Sequence, residues 1–240
     1  MDKVVIRRLN TLQDFKNATD VQQLSWGMSD RDILPSHFMI AFQNAGEQWG
    51  AFCDNKMIGM ALCYPINGKL FILHMMATIP EYRGKGVGKL LLNAVISSLK
   101  ERNQTALYWT YDPLDPVNAG FYHNHFGAIG YQVKMDYYGS IASSHHASLP
   151  THRLFCILPL VSSIEMVQTD KVTQLSVPIT LEEAKKDPKF DVSISDNFFQ
   201  ALSDKINLGY VVSKINRANA TIFLSQLSPE GSKFLKQLGL

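Results

Sequence analysis

Cysteine is nearly absent from this sequence: Cys53, Cys63 and Cys156 are the only three in 240 residues. A sparse, odd set gives no disulfide framework and no zinc spacing, and it suits a reducing compartment. Charge of one sign is lacking too. Lys and Arg number 23 against 21 Asp and Glu, a net charge of +2, so there is no overall electrostatic case for nucleic acid or an anionic membrane as partner. No apolar run approaches the length of a membrane span. The opening Met1–Arg8 lacks the apolar stretch of a secretory signal. No segment repeats at a fixed period. Histidines cluster at His123 and His125 and again at His145 and His146. No Cys or carboxylate partners stand at ligand spacing, so no metal is expected. These absences point to a cytoplasmic protein that binds neither nucleic acid nor membrane.

What is present is an ordinary soluble composition, 46% apolar and 18% charged, long enough to bury a full core without staples. One stretch carries more information than the rest. An apolar strand, Leu70–Thr78, runs into Pro80 and then a basic, glycine-dense turn, Arg83-Gly84-Lys85-Gly86-Val87-Gly88. Behind the turn, Val87, Leu91, Val95 and Leu99 recur at four-residue spacing and predict an amphipathic helix. Such a turn has little side-chain bulk, so several backbone N–H groups can face one anion. The helix N-terminus adds roughly half a positive charge. A phosphate-bearing ligand is expected here.

The elements around it follow from period and punctuation. Val4–Leu9 reads as a strand, and Thr11 caps a helix with apolar positions Leu12, Phe15, Ala18, Val21 and Leu24, ended by Trp26-Gly27. Pro35–Asn44 reads as a second helix. Trp49–Cys53 and Met57–Tyr64 form a hairpin, and Asn67-Gly68 reads as a type I′ turn into Leu70–Thr78. After the long helix come a strand at Thr105–Tyr111, a break at Asp112–Pro116, a short helix Asn118–Phe126 ended by Gly127, and strands at Ile129–Tyr138 and Leu154–Leu160. The segment Gly139–Pro150 reads as a Ser/His-rich loop. In the tail, Thr180–Glu183 has the form of a capping box, Ser195 caps a helix bearing Phe198, Phe199, Leu202 and Ile206, Tyr210–Ile215 and Thr221–Leu227 form a hairpin, and Ser228-Pro229 opens a terminal helix.

This order of elements, with Arg83, Gly86 and Gly88 meeting an Arg/Gln-x-x-Gly-x-Gly/Ala signature, resembles the GNAT superfamily of acyl-CoA-dependent N-acyltransferases. Pro80-Glu81-Tyr82 before the turn, and Asn118-Ala119 and Phe126-Gly127 after it, extend the resemblance to residues 3–160. Asp112-Pro-Leu, Tyr138-Gly139, Thr151-His-Arg153 and Gly209-Tyr-Val211 are similar to a mostly uncharacterised subgroup, some of whose relatives are thought to acylate amino acids, including with succinyl-CoA. The resemblance implies an α/β fold of layered α+β type, a mixed and mostly antiparallel sheet flanked by helices. Residues 1–160 would form the acyltransferase domain and 161–240 a C-terminal α/β extension that packs on it or completes it. Two positions depart from the usual pattern: Thr78 replaces an aliphatic residue, and His123, with Tyr122 beside it, stands where a tyrosine is usual.

The resemblance also implies roles. Backbone amides of Gly84, Lys85, Gly86, Val87, Gly88 and Lys89 would cradle the pyrophosphate of acetyl-CoA or another acyl-CoA, with Arg83 and Lys85 adding charge. Met76, Ala77 and Thr78 would supply backbone groups to pantetheine, one N–H polarising the thioester carbonyl. Asn118 either contacts coenzyme A or caps the short helix. His74 is a candidate base for the amine, or a packed strand histidine. Tyr122 and His123 compete as the acid that meets the departing thiolate; Tyr122 is favoured because a phenol is protonated at pH 7. Arg153 either holds a substrate carboxylate or is an exposed strand arginine. Cys53 and Cys63 have no evident base, so direct attack in a ternary complex is expected over a covalent route. The expected reaction is acyl transfer to a small primary amine such as an amino acid. The rival is a non-catalytic acyl-CoA binder with a regulatory or dimerising tail, and a homodimer is compatible with either. The turn lacks the four-residue gap and Lys-Ser/Thr of a nucleotide P-loop.

Overall fold

The computed structural model describes residues 3–139, 149–161 and 164–240. The chain forms two compact units that divide within one strand: the first takes in the chain through Leu107, the second resumes at Tyr108 and runs to Leu240.

In the first unit, β1 (Val5–Arg8), β2 (Glu47–Cys53), β3 (Lys56–Pro65) and β4 (Leu70–Thr78) lie side by side in that order. Each pair is antiparallel. The three antiparallel strands expected before the glycine turn are therefore present, with β1 added at the edge. The type I′ geometry is elsewhere than expected. Asp54 and Asn55, at φ 47° and 65°, make the mirror-image turn between β2 and β3, whereas Asn67 and Gly68 keep φ outside the left-handed region. A two-residue loop needs that twist; the longer link from Pro65 to Leu70 does not.

Helix α1 (Leu12–Trp26) starts at a capping box of Thr11 with Asp14 and stops at Gly27, φ 58°. Its Phe15, Ala18 and Val21 are buried. Helix α2 is shorter than its apolar pattern suggests, Ser36–Ala41, with Pro35 as its N-cap. Helix α3 (Val87–Glu101) buries Val87, Leu91, Leu92, Val95 and Leu99, the face its spacing predicts. Gly59 lets it approach β3 closely, since a Cβ there would stand 2.8 Å from Ala77 O and 3.2 Å from Leu91 Cδ1. A buried carboxylate ties the ends together: Glu47 accepts from Arg8 at 2.5 Å, Arg102 at 2.6 Å and Trp49 Nε1 at 2.9 Å. Burial alone pushes this acid up, but the bonds from Arg102, Trp49, Ser98 and Arg8 outweigh it and hold the carboxyl below its ordinary value.

The second unit continues from β5 (Ala106–Tyr111) through α4 (Pro116–Ala119), a π-helical turn (Gly120–His125), β6 (Ile129–Lys134) and β7 (Arg153–Pro159). Then come β8 (Val167–Ser176), α5 (Leu181–Lys186), α6 (Val192–Asn207), β9 (Tyr210–Asn216), β10 (Thr221–Leu227) and α7 (Pro229–Gln237). Its strands run in the order β5-β7-β6-β9-β10-β8, and every pairing with a defined register is antiparallel. Residue 160, where the sequence places the end of its first domain, falls inside this unit. The tail joins the sheet through Gly130 of β6 opposite Val212 of β9. The Thr180 capping box and the Ser228 cap are found. Asp191, not Ser195, caps α6, because the helix begins a turn earlier. Strand β8 has no counterpart in the sequence reading; its polar run Val167-Gln-Thr-Asp-Lys carries no clean alternation. Among the described residues no helix is long and apolar enough to cross a membrane.

Candidate active site

The glycine turn is built by backbone strain that only glycine relieves. Pro80–Tyr82 forms one 3₁₀ turn, and Gly84 and Gly86 follow at φ 72° and 81°. A Cβ at either position would meet open space, so conformation, and not crowding, demands glycine there. Gly86 is the N-cap of the 15-residue α3 and offers no side-chain cap. The first N–H groups of that helix, from Val87 on, therefore carry the positive end of a long dipole without a side-chain acceptor. Gly84, Lys85, Gly86 and Lys89 are exposed, Gly88 is partly covered, and the Val87 side chain is buried as the anchor.

Arg83 is engaged differently from the sequence expectation of charge aimed at a ligand. Its Nε donates to Thr78 O at 3.1 Å and its Nη2 to Ser25 O at 2.7 Å. The guanidinium thus ties the end of β4 and the C-terminus of α1 to the turn, and a cation suits that helix end. Lys85 Nζ lies 5.0 Å from the Tyr82 ring centroid. On β4, Met76, Ala77 and Thr78 face Ala61, Met60 and Gly59 of β3, and alternate backbone groups of an antiparallel strand point to its other edge.

His74 sits at an irregularity. Leu62 pairs with Met75 and Cys63 with Leu73, so His74 is the extra residue of a β-bulge in β4. It is exposed, and its ring centroid is 6.0 Å from that of Tyr64. Desolvation by surrounding protein lowers its pKa below the ordinary value, which keeps the imidazole neutral, with a free lone pair for a proton, at pH 7.

In the second unit, Asp115 caps α4, accepting from Val117 N and Asn118 N at 3.0 Å. Asn118 does not cap; its Nδ2 donates to Asp115 Oδ2 at 2.9 Å and fixes the cap. Tyr122 and His123 follow on the π-helical turn, a rare conformation often found at functional sites. Tyr122 is 8% exposed, with its ring 4.8 Å from Trp109 and 5.6 Å from Tyr111. Burial raises its pKa, so the phenol keeps its proton. His123 is a core residue with both ring nitrogens spent. A carbonyl only accepts, so Nδ1–H donates to Ala128 O at 2.6 Å, and Nε2 accepts from the Tyr111 hydroxyl at 2.8 Å. Burial depresses its pKa to about 4 against the raising effect of the Ala128 bond.

Two residues that the sequence does not single out hold this turn. Asn124 pairs with the backbone of Ile215 in β9, Nδ2 to the carbonyl at 2.8 Å and Oδ1 from the N–H at 3.0 Å. Arg217 packs on Gly120, where a Cβ would stand 2.4 Å from Arg217 Cδ. Asn124 lies 91 positions from Ile215, and Arg217 is comparably far from Gly120 in sequence, so no local signal marks either.

Arg153 is not an exposed strand arginine. It is 7% exposed, donates to His152 O at 2.8 Å and lies 5.2 Å from the Tyr138 ring centroid. Asp112, also buried, accepts from Leu114 N at 2.9 Å; desolvation raises its pKa to about 6 although Leu114 and Arg153 work against it. His145, His146 and most of the Ser/His loop lie outside the described residues. All three cysteines are free and buried.

Residues 12–128 match the acetyltransferase (GNAT) family. Over those residues the chain is a GNAT family protein. A ribosomal protein bS18-alanine N-acetyltransferase of Haemophilus influenzae is 26% identical to this GNAT protein over 128 residues, 52% of this chain and 82% of the relative. The ribosomal-protein-S18-alanine N-acetyltransferase structure from Escherichia coli superposes with a TM-score of 0.54 at 17% identity, covering 68% of this chain and 97% of that one. Ard1 from Thermoplasma volcanium gives 0.52 at 13% identity, covering 66% and 99%. At such identities the structures show a shared fold, the fold expected from the sequence, with additional C-terminal strands and helices in this chain.

Proposed function

We propose that this GNAT protein transfers the acetyl group of acetyl-CoA directly to the primary amine of a small molecule, an amino acid being one candidate, with succinyl-CoA as a second donor to test. The observation that carries the proposal is the exposed Gly84–Gly86 turn at the uncapped N-terminus of α3. Its open backbone amides fit the pyrophosphate of coenzyme A in the way this family's match implies. When bound, acetyl-CoA would supply the activated thioester, and coenzyme A would leave as the thiol.

The chain's own residues supply the rest. His74, exposed and neutral, takes the proton from the attacking amine. Tyr122 gives a proton to the departing sulfur. It is preferred to His123, whose Nε2 carries a lone pair already committed to Tyr111. Backbone groups of Met76–Thr78 serve the donor's pantetheine arm and thioester carbonyl, and Asn118 keeps α4 in place. Arg153 offers a buried cation for an acceptor carboxylate. A covalent acyl-enzyme is disfavoured because burial pushes the Cys63 and Cys156 thiols well above their ordinary pKa and Cys53 is buried. Three free cysteines fit a cytoplasmic setting.

The Haemophilus influenzae relative supports a second reading, with a protein N-terminus as acceptor. A non-catalytic acyl-CoA binder is the third. Thiol release from acetyl-, propionyl- and succinyl-CoA, screened against amino acids, polyamines, aminoglycosides and an alanine-initiated peptide, separates them. Release with a small amine supports the proposal, release with the peptide alone moves the acceptor to protein, and binding of acetyl-CoA without release makes the chain a binder.

A further inference from the structure

Four rings run in one chain across the first unit. Phe38 and Phe42, one turn apart on and after α2, have centroids 4.8 Å apart. Each meets Tyr64 edge-on, at 5.6 Å and 5.5 Å. Tyr64 in turn lies 6.0 Å from His74. Met39, fully buried between the two phenylalanines in sequence, anchors the helix, yet Phe38 and Phe42 stay 38% and 36% exposed. Two partly open apolar rings that both meet Tyr64, the ring next to His74, make one continuous aromatic surface. Beneath them the Tyr64 hydroxyl is buried and has no hydrogen-bond partner among the described residues, while the Tyr64 residue is only 8% exposed. A buried hydroxyl without a partner calls for an explanation, and a polar group arriving with a ligand is one.

We propose that Phe38, Phe42 and Tyr64 form the acceptor subsite beside His74, and that the acceptor is a small primary amine carried on an aromatic group. The assignment rests on the acetyltransferase reading and on His74 as its base. Aromatic rings prefer edge-to-face and offset contacts at the distances this wall presents, which favours an aryl body over a flexible aliphatic one. The wall is also uncharged. Desolvation lowers the His74 pKa, and among the described residues no carboxylate forms an ion pair with it, whereas a polycationic acceptor needs acidic neighbours.

The test is thiol release from acetyl-CoA with 2-phenylethylamine, ethylamine, putrescine, kanamycin and an alanine-initiated peptide, on wild type and on Phe38→Ala and Phe42→Ala. We expect kcat/KM for 2-phenylethylamine to exceed that for ethylamine by about tenfold or more. Each variant should erase most of that ratio through KM, with acetyl-CoA affinity unchanged. Phe38→Leu and Phe42→Leu, which keep apolar bulk and lose the ring, serve if the alanine variants do not fold, and they should lose the same preference. Efficient release with putrescine, kanamycin or the peptide in place of the aryl amine overturns the aromatic acceptor and leaves the acetyltransferase standing. An aryl preference that survives every variant overturns the subsite. Absence of release with any amine, while acetyl-CoA still binds, overturns both.

Discussion

The turn at Arg83–Gly88 and the π-helical turn at Gly120–His125 are both short, and each comes with left-handed glycine, Gly86 at φ 81° within the first and Gly127 at φ 69° just after the second. They are held in opposite ways. The first is shaped by its own backbone: glycine conformation, one 3₁₀ turn, and the N-terminus of a helix that packs independently of any ligand. Among the described residues, Arg83 adds a long-range tie through its bond to Ser25 O. The second has little local support. Its shape depends on Tyr111 and Ala128 holding His123 and on Ile215 of β9 holding Asn124. A turn whose amides lie open at the surface can be local, because nothing has to enclose it. A buried phenol at a defined angle needs walls, and here the C-terminal strands supply some of them.

The largest test of that contrast is at Tyr122. Tyr122→Phe should lower kcat by about 10²-fold while acetyl-CoA affinity, measured by titration calorimetry, changes less than twofold. An unchanged kcat would reduce the π-helical turn to packing. Next is the tie between the turn and the tail. Asn124→Ala removes two hydrogen bonds and leaves the Ile215 backbone unpaired, at about 1–2 kcal/mol, or roughly 3–6 °C in Tm for a chain of this size. Thermal melts should show that loss, and kcat should fall more than acetyl-CoA affinity. If Tm is unaffected, β9 does not support the turn.

Asp112 gives a pH-dependent test. Its folded carboxyl titrates near 6 against an ordinary 3.8, so the folded state holds the proton across that window and loses stability as pH rises through it. The gap corresponds to at most about 3 kcal/mol. Asp112→Asn keeps an acceptor for Leu114 N. Its Tm relative to wild type should be higher at pH 7.5 than at pH 4. A difference independent of pH would show that the acid is not held protonated. The smallest effect is expected at Arg83. Because its guanidinium is spent on Thr78 O and Ser25 O, Arg83→Gln should weaken acetyl-CoA binding only about two- to threefold, roughly 0.5 kcal/mol. A tenfold loss would mean that its charge reaches the donor.

The same contrast explains what the sequence could show. The glycine turn was legible because its cause is local: two glycines that must take positive φ, followed by apolar residues at four-residue spacing. The antiparallel order of β2, β3 and β4 was legible from alternation and turn residues, although the type I′ turn was assigned to Asn67-Gly68 when Asp54-Asn55 adopts it. Pattern could not show that His123 is a core residue, since its two partners, Tyr111 and Ala128, come from different elements. Nor could it find Asn124, which acts on a strand 91 positions away. Arg153 read as either exposed or functional, and only burial decides the first. Phe38, Phe42 and Tyr64 carry no pattern that sets them apart in the sequence; the exposure of the two phenylalanines and the closeness of Tyr64 to His74 belong to the fold alone.

The most direct test of the account is calorimetric titration of acetyl-CoA into wild type and Gly86→Asp. A side chain at φ 81° is strained although space is open, and a carboxylate at the start of α3 repels phosphate. Saturable binding to the wild type, and affinity at least tenfold weaker in a variant that still folds, is the predicted result. Equal affinities in the two proteins would contradict the assignment of this turn as the donor site.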